Sequence, residues 1–450
     1  MIDLKNKNVV VFGMGVSGIS ALRLVKTLGA HPFAINSGEV STWAKTGGVL
    51  DIINLDQCSS ENLESEKTKK FIEACDLLIL SPGIPRDHKI LEPIHQKKMT
   101  IWGEIELGFQ VLNSLNELKP IVAITGTNGK TTTTTFIGEM IEHANLRPFV
   151  GGNIGTPFCD MAYEVLLKKC KYDVIVLELS SFQLESIVEF RPQIALILNI
   201  FQNHGERYEK IEDYAFAKFN IVNNMTPEDV LIYPTDYKII DSWAKNLLVK
   251  KISFDSRDFK STFDLSKFKL PGHHNIVNLN FVTIVGELLK LKKVDIQKTI
   301  DDFRGVHFRI EPIFDAHEFM AFNDAKSTNW DATVTATEAM KDINGDLYLI
   351  IGGKKRGHGD SILPYLNDLG KRVKKFFLIG EMSSEIESEL KDTKFEYVNS
   401  QNLEETIRII RNQNFRGIVL FSPAFPSFDQ YANYVQRGEH FTKLVTKKTI

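Results

Sequence analysis

Lys130, Thr131 and Thr132 close the run Ile121-Val-Ala-Ile-Thr-Gly-Thr-Asn-Gly-Lys-Thr-Thr132, in which Gly126 and Gly129 bracket Thr127 and Asn128. Those residue types at that spacing suit a polyphosphate. The glycines let backbone N–H groups turn inward, Lys130 adds a mobile positive charge, and the Thr131 hydroxyl can ligate Mg²⁺. The common template has glycine five residues before the Gly-Lys pair; Ile124 stands there, so the loop is the shorter form Gly126-x-x-Gly129-Lys130-Thr131. An ordinary glycine turn between a strand and a helix is the competing reading.

Further polar groups stand where apolar runs end. Asp173-Val-Ile-Val-Leu-Glu178 places Glu178 at the end of a buried strand, where a carboxylate can face a nucleotide-bound Mg²⁺. Gln193-Ile-Ala-Leu-Ile-Leu-Asn199 leads to His204, a loop histidine in isolation but a candidate ligand at a third strand end of one sheet. Near the N-terminus, Gly13-Met-Gly-Val-Ser-Gly18 is a dinucleotide-type fingerprint. The next strand, His31 to Asn36, ends on Asn36 rather than the acid that holds a ribose, which leaves NAD(P), another nucleotide-bearing ligand or a packing turn open. Lys218, on a helical stretch from Asp213 to Met225, reads as a solvated helix lysine. Around His273 and His274, Asn275 and Asn278 open another helix, either as caps or as amides for an adenine or phosphate.

These residues need strands to carry them and helices to follow. Phe136, Ile137, Met140, Ile141 and Ala144 recur at helical spacing behind the phosphate loop. Strands are expected at Asn8–Phe12, His31–Asn36, Asp76–Leu80, Ile121–Thr125, Asp173–Glu178 and Gln193–Asn199, then at Phe319–Phe322, Leu347–Ile351, Phe376–Ile379 and Gly417–Phe421. The polar stretch Ser59 to Lys70 reads as a surface excursion. Alternating strands and helices predict an α/β protein with parallel or mostly parallel sheets and ligands at the carboxyl strand ends.

A chain of 450 residues exceeds one hydrophobic core, and three domains are expected. Hydrophobic content of 43% with 25% charged residues fits a globular protein, and no apolar run nears the roughly 18 residues needed to span a bilayer. With no cleavable apolar segment at the start, a cytoplasmic location is expected. Cys58, Cys75, Cys159 and Cys170 form no Cys-x-x-Cys pair and read as reduced bystanders. A net charge of −3 without a basic block argues against a nucleic-acid partner.

Taken together, the motifs resemble the ATP-dependent Mur ligases of peptidoglycan synthesis along essentially the whole chain. Lys130, Glu178, His204, Asn275, Asn278, Arg309 and Asp324 match the positions that family shares. Ser422-Pro-Ala-x-x-Ser427-x-Asp429-Gln430 with Arg437-Gly438, and Ser81-Pro-Gly-Ile, point to its D-glutamate-adding branch; the Asp-Asn-Pro-Arg of the diaminopimelate or lysine adder is absent.

The resemblance implies a Rossmann-like UDP-substrate domain at 1–108, a central P-loop ATP-binding α/β domain at 109–304 and a Rossmann-like amino-acid domain at 305–450. It implies ATP and two Mg²⁺ ions as cofactors, UDP-N-acetylmuramoyl-L-alanine and D-glutamate as substrates, no membrane partner, and a monomer. Lys130, Glu178, His204 and Lys218 would be catalytic. ATP would meet Gly126, Thr127, Asn128, Gly129, Lys130, Thr131, Thr132, Asn275, Asn278, Arg309, Asp324 and Lys326. The UDP-substrate would meet Gly15, Val16, Ser17, Asn36, Ser37, Gly83, Asn153, Ser180 and His204, and D-glutamate would meet Thr328, Arg356, Ser427 and Tyr434. Metal would fall to Thr131, Glu178, His204 and Lys218, the last as a carbamate, since relatives carry such a lysine on a similar Tyr-x-x-x-Lys helix and Tyr214 to Lys218 keeps that spacing. Two local departures stand out: no Asp-Thr-Arg follows Asn36-Ser37, and Gly352-Gly-Lys-Lys-Arg356 offers three cations where relatives often show one.

Other readings separate cleanly. A sibling ligase, folylpolyglutamate synthase included, would share the central motifs but not the carboxyl-terminal signature. An NAD-dependent oxidoreductase would leave the phosphate loop unexplained, and a nucleotide switch would not need Glu178, His204 and a third domain.

Overall fold

The computed structural model describes the chain except residues 1–2, 47, 63–64, 202–204, 206, 259–260, 271, 314–315, 317, 342, 356–359 and 448–450, and the side chains of 42, 45, 46 and 331. His204 and Arg356 therefore lie outside the described residues. Two compact units form: Met1–Leu265 with Val277–Ile300, and Ser266–Ile276 with Asp301–Ile450.

The first unit holds two sheets. One comprises β1 (Asn8–Phe12), β2 (His31–Asn36), β3 (Cys58–Ser60), β4 (Leu77–Leu80) and β5 (Ile101–Gly103), in the order β3-β2-β1-β4-β5. Its pairings are all parallel, and the strand order reverses between β1 and β4. The other comprises β6 (Ile121–Thr125), β7 (Pro148–Gly152), β8 (Val174–Glu178), β9 (Ile194–Ile197), β10 (Val230–Pro234) and β11 (Lys250–Phe254), ordered β11-β10-β9-β6-β8-β7 and again parallel. Every residue of β6 and β8 is buried, which is why both read as unbroken apolar runs: helices cover both faces of a parallel sheet. Each aliphatic side chain so enclosed contributes about 1.5–3 kcal/mol, which holds the strand ends in fixed register.

The second unit holds β12 (Glu311–Ile313), β13 (Met320–Asn323), β14 (Leu347–Gly352), β15 (Val373–Ile379), β16 (Glu396–Gln401) and β17 (Ile418–Ala424), ordered β12-β13-β17-β14-β15-β16. Only the edge pair β12–β13 among these is antiparallel. The α/β class and mostly parallel sheets expected from sequence are thus present.

One expectation needs correction. The stretch from Ser59 to Lys70 is no surface excursion: it begins in edge strand β3 and ends in the helix Glu66–Glu73. Its polarity misleads because Ser59 and Thr68 pair their hydroxyls at 2.7 Å inside the unit, while Phe71 and Ile72 bury the helix's apolar side.

Candidate active site

Strand β6 delivers the phosphate loop, and the helix Lys130–His143 leaves it. Gly129 has φ +83°, and a Cβ there would stand 2.6 Å from Asn278 Oδ1, so backbone conformation and the close approach of Asn278 both require glycine. Asn199, just past β9, orders the loop from the side: its Oδ1 accepts from the N–H of Thr127 at 3.1 Å and of Asn128 at 2.8 Å. Lys130 Nζ folds back onto the carbonyls of Gly126 at 2.8 Å and Thr127 at 2.9 Å.

Two buried groups of opposite charge type converge on this loop. Glu178, at the end of β8, is 1% exposed; its Oε1 accepts from Asn153 Nδ2 at 2.8 Å, and its Oε2 has no hydrogen-bond partner. A buried carboxylate oxygen without a partner is satisfied by a cation or by a donor from a ligand. Lys218, on the helix Ile211–Phe219, is also 1% exposed, donates to Gly126 O at 2.9 Å and lies 4.4 Å from the Tyr214 ring centroid. Burial holds its ammonium well below the ordinary lysine pKa; the Lys130 charge pushes the same way and Glu178 opposes. The solvated reading of Lys218 is therefore wrong. Its helix instead turns Phe216, 64% exposed, outward.

These residues fit a phosphate-bound Mg²⁺. Among the described residues no three His, Cys, Asp or Glu side chains converge, so the donor set would mix the Thr131 hydroxyl, Glu178 Oε2 and phosphate oxygens. Asn153, one of the residues expected at the UDP-substrate, donates from Nδ2 to Glu178 Oε1 at 2.8 Å. The Ser180 hydroxyl caps the short helix Ser181–Leu184 in a reciprocal box with Gln183.

At the β1/β4 reversal, the glycine fingerprint divides its labour. A Cβ on Gly18 would fall 1.8 Å from Gly13 O, and one on Gly13 would meet Ser81 Cβ at 2.7 Å, so these two glycines serve packing. Gly15 and Gly83 face open space, and Val16 beside Gly15 is 71% exposed, which leaves an accessible helix N-terminus for an anion. Asn36 Oδ1 accepts from Met14 N–H at 3.0 Å, so the residue standing in place of the ribose acid holds the turn itself. Ser37 is exposed.

In the second unit, Asp324 follows β13 and is buried. Its carboxylate accepts from the Ser327 hydroxyl at 2.5 Å, the Ser422 hydroxyl at 2.7 Å and Ile310 N–H at 3.2 Å. Burial pushes its pKa up to about 6 against these donors and the Arg309 charge. Lys326 Nζ lies 5.9 Å from the Tyr434 ring centroid, Thr328 is partly buried, and Ser427 is buried after β17. Asn275 and Asn278 sit one turn apart on the helix His273–Leu288. Sequence reasoning gave no role to Asn199 or to Asn153 at Glu178, and it quoted Arg437 only as part of the carboxyl-terminal signature; Asn199 carried a signal as a polar strand end.

A phosphate loop on the central strand of a parallel sheet, with an unpaired strand-end carboxylate and a buried lysine, defines an ATP-handling α/β enzyme. Residues 124–292 match the Mur ligase middle domain. The chain is 33% identical over 465 residues to the UDP-N-acetylmuramoylalanine–D-glutamate ligase of Alkaliphilus oremlandii, covering 98% of this chain and 99% of that protein. It is 32% identical to the ligase of that name from Koribacter versatilis, covering 99% and 98%. The chain belongs to the Mur ligase family. Among solved structures, MurF ligase from Thermotoga maritima in complex with ADP aligns with TM-score 0.57 at 14% identity, covering 98% of this chain and 96% of that one. MurC from the same organism aligns with TM-score 0.52 at 20% identity, covering 97% and 98%. Both share the fold.

Proposed function

We propose that this chain joins D-glutamate to the carboxylate of UDP-N-acetylmuramoyl-L-alanine at the expense of ATP, in peptidoglycan precursor synthesis. The reading is carried by one observation: a chain with a complete phosphate loop matches ligases of that name along its whole length. A free carboxylate has no usable leaving group, and transfer of the ATP γ-phosphoryl to it creates one. Gly126 to Thr132 cradle the phosphates on backbone N–H groups, and Lys130 exchanges its bonds to the loop carbonyls for phosphate oxygens. Mg²⁺, when bound, would neutralise charge on the phosphate oxygens; Thr131 and Glu178 would hold one ion, and His204 with Lys218 would hold a second. The D-glutamate nitrogen then attacks the acyl phosphate carbon, a C–N bond forms, and phosphate leaves with the C–O electron pair.

The buried Lys218 amine suits the carbamate role. In its neutral form the nitrogen lone pair attacks CO₂, the nitrogen gives up a proton, and an anionic carbamate oxygen stands beside Lys130. For the UDP-substrate, Gly15, Val16, Ser17, Asn36, Ser37 and Gly83 are assigned together with Asn153, Ser180 and His204, and Thr328, Arg356, Ser427 and Tyr434 are assigned to D-glutamate. Asn153 also orients Glu178, and Ser180 also caps the chain after β8. Asn275, Asn278, Arg309, Asp324 and Lys326 keep the ATP role the family implies. Domains at 1–108, 109–304 and 305–450 each enclose one sheet, and the chain works as a cytoplasmic monomer. Among the described residues no helix is long and apolar enough to cross a membrane.

The test is phosphate release from ATP by the purified chain with each substrate omitted in turn. The proposal requires release only when UDP-N-acetylmuramoyl-L-alanine and D-glutamate are both present. Equal release with another amino acid in place of D-glutamate would redirect it to a sibling activity.

A further inference from the structure

Arg437 is the largest charged side chain wholly inside the second unit, at 1% exposed, and none of the catalytic assignments uses it. It lies in the first turn of the helix Tyr434–Thr446. One nitrogen, Nη2, donates to Ala325 O at 3.0 Å and to Phe425 O at 2.9 Å. Nε and Nη1 are buried without a hydrogen-bond partner. Nη1 stands against Gly353: a Cβ there would come within 3.1 Å of it and within 2.3 Å of Pro426 O. The Phe421 ring lies 5.8 Å from the guanidinium carbon. A guanidinium left half unpaired in a core costs stability, and an apolar residue would pack there without that cost.

What Arg437 touches gives the reason for keeping it. Ala325 follows β13 and lies three residues before Thr328. Phe425 follows β17 and lies two before Ser427. Gly353 follows β14, and Tyr434 precedes Arg437 by one turn on the same helix face. Lys354 N–H donates to Pro426 O at 2.9 Å, tying two of these segments to each other. Asp429 contributes the attractive charge, and its Oδ2 accepts from Glu381 N–H at 3.0 Å.

We propose that Arg437 is a positioning residue for the amino-acid site, locking three strand-end segments in register so that Thr328, Ser427 and Tyr434, assigned to D-glutamate, converge. The inference rests on the D-glutamate reading above. The planar guanidinium bridges two carbonyls from one nitrogen while its flank faces a third segment, and a lysine, shorter and with a single nitrogen, covers less of that geometry.

The experiment measures kcat and the three substrate KM values for the full chain, for Arg437→Lys and for Arg437→Met, with thermal melting of each. The D-glutamate KM rises threefold to tenfold in Arg437→Lys and more than tenfold in Arg437→Met, while those for ATP and UDP-N-acetylmuramoyl-L-alanine stay within twofold. A D-glutamate KM within twofold of wild type in Arg437→Lys overturns the assignment, as does a rise of all three KM values together. If neither variant folds, Arg437 serves stability alone and the proposal fails. Should Arg437→Met alone fail to fold, Arg437→Lys decides. A wild-type chain that does not respond to D-glutamate would defeat the functional reading instead.

Discussion

Replacing Lys218 by methionine should make the protein more stable and inactive at once. The methionine fills nearly the same volume in a site that is 1% exposed. Lost with the amine is one hydrogen bond to Gly126 O, about 0.5–1.5 kcal/mol. That carbonyl is not orphaned, because Lys130 Nζ also donates to it at 2.8 Å. Gained is relief from burying an amine beside Lys130; exchange of a buried ionic group for an apolar one is neutral to stabilising by about 1–4 kcal/mol. The net spans about −0.5 to +3.5 kcal/mol, with its centre at about 1.5 in favour of the variant, a rise of a few degrees in melting midpoint at roughly 2–4 °C per kcal/mol.

The pH dependence has a definite sign. Unfolded, Lys218 keeps its proton up to its ordinary value near 10.5, whereas the folded amine has lost it well below that. Between those limits the unfolded chain binds more protons, so the wild type gains stability on the variant as pH rises. Differential scanning calorimetry of both proteins from pH 7 to 9.5 in bicarbonate-free buffer, paired with phosphate release, reads both effects. A variant several degrees less stable throughout, or one that retains catalysis, would refute the reasoning.

Lys130→Ala should lower turnover by on the order of a thousandfold while UDP-substrate binding, read by calorimetry, is largely unchanged. Glu178→Gln removes the charge of the unpaired oxygen and should raise the Mg²⁺ concentration needed for half-maximal rate at least tenfold, read by metal titration of activity. Acetate or formate should restore part of the rate to Lys218→Ala by supplying the missing carboxylate oxygen, and no rescue together with a free amine by carbon-13 NMR would remove the carbamate. Glu104 is buried with one oxygen unpaired, and burial raises its pKa from 4.5 to about 7. Between those values the folded chain binds more protons than the unfolded, so stability falls as pH rises through that window. Glu104→Gln should therefore gain up to about 3 kcal/mol on the wild type between pH 4.5 and 7, checked by denaturant titration.

The phosphate loop was legible because glycine, lysine and threonine at fixed offsets have few other uses after a buried strand. Glu178 was legible because an acid ending an apolar run must be held by something. Lys218 was not, since the helix Ile211–Phe219 exposes Phe216 and buries the lysine, inverting the polarity that pattern reading relies on. Such inversions gather where function overrides packing. The edge strands hid for a different reason. β7 is Pro-Phe-Val-Gly-Gly and β16 is Glu-Tyr-Val-Asn-Ser-Gln, and neither alternates; they become strands by pairing with β8 and β15. Arg437 gave no sign of burial, because nothing local distinguishes an arginine that spans three distant segments from one in solvent.

Carboxylate activation is the centre of the account, and an oxygen label follows it directly. UDP-N-acetylmuramoyl-L-alanine carrying ¹⁸O in its alanyl carboxylate is turned over with ATP and D-glutamate, and the released phosphate is analysed by mass spectrometry. An acyl-phosphate route places one carboxylate oxygen in the inorganic phosphate of each turnover, with ADP as the other product. Unlabelled phosphate, or label recovered in AMP, would contradict it.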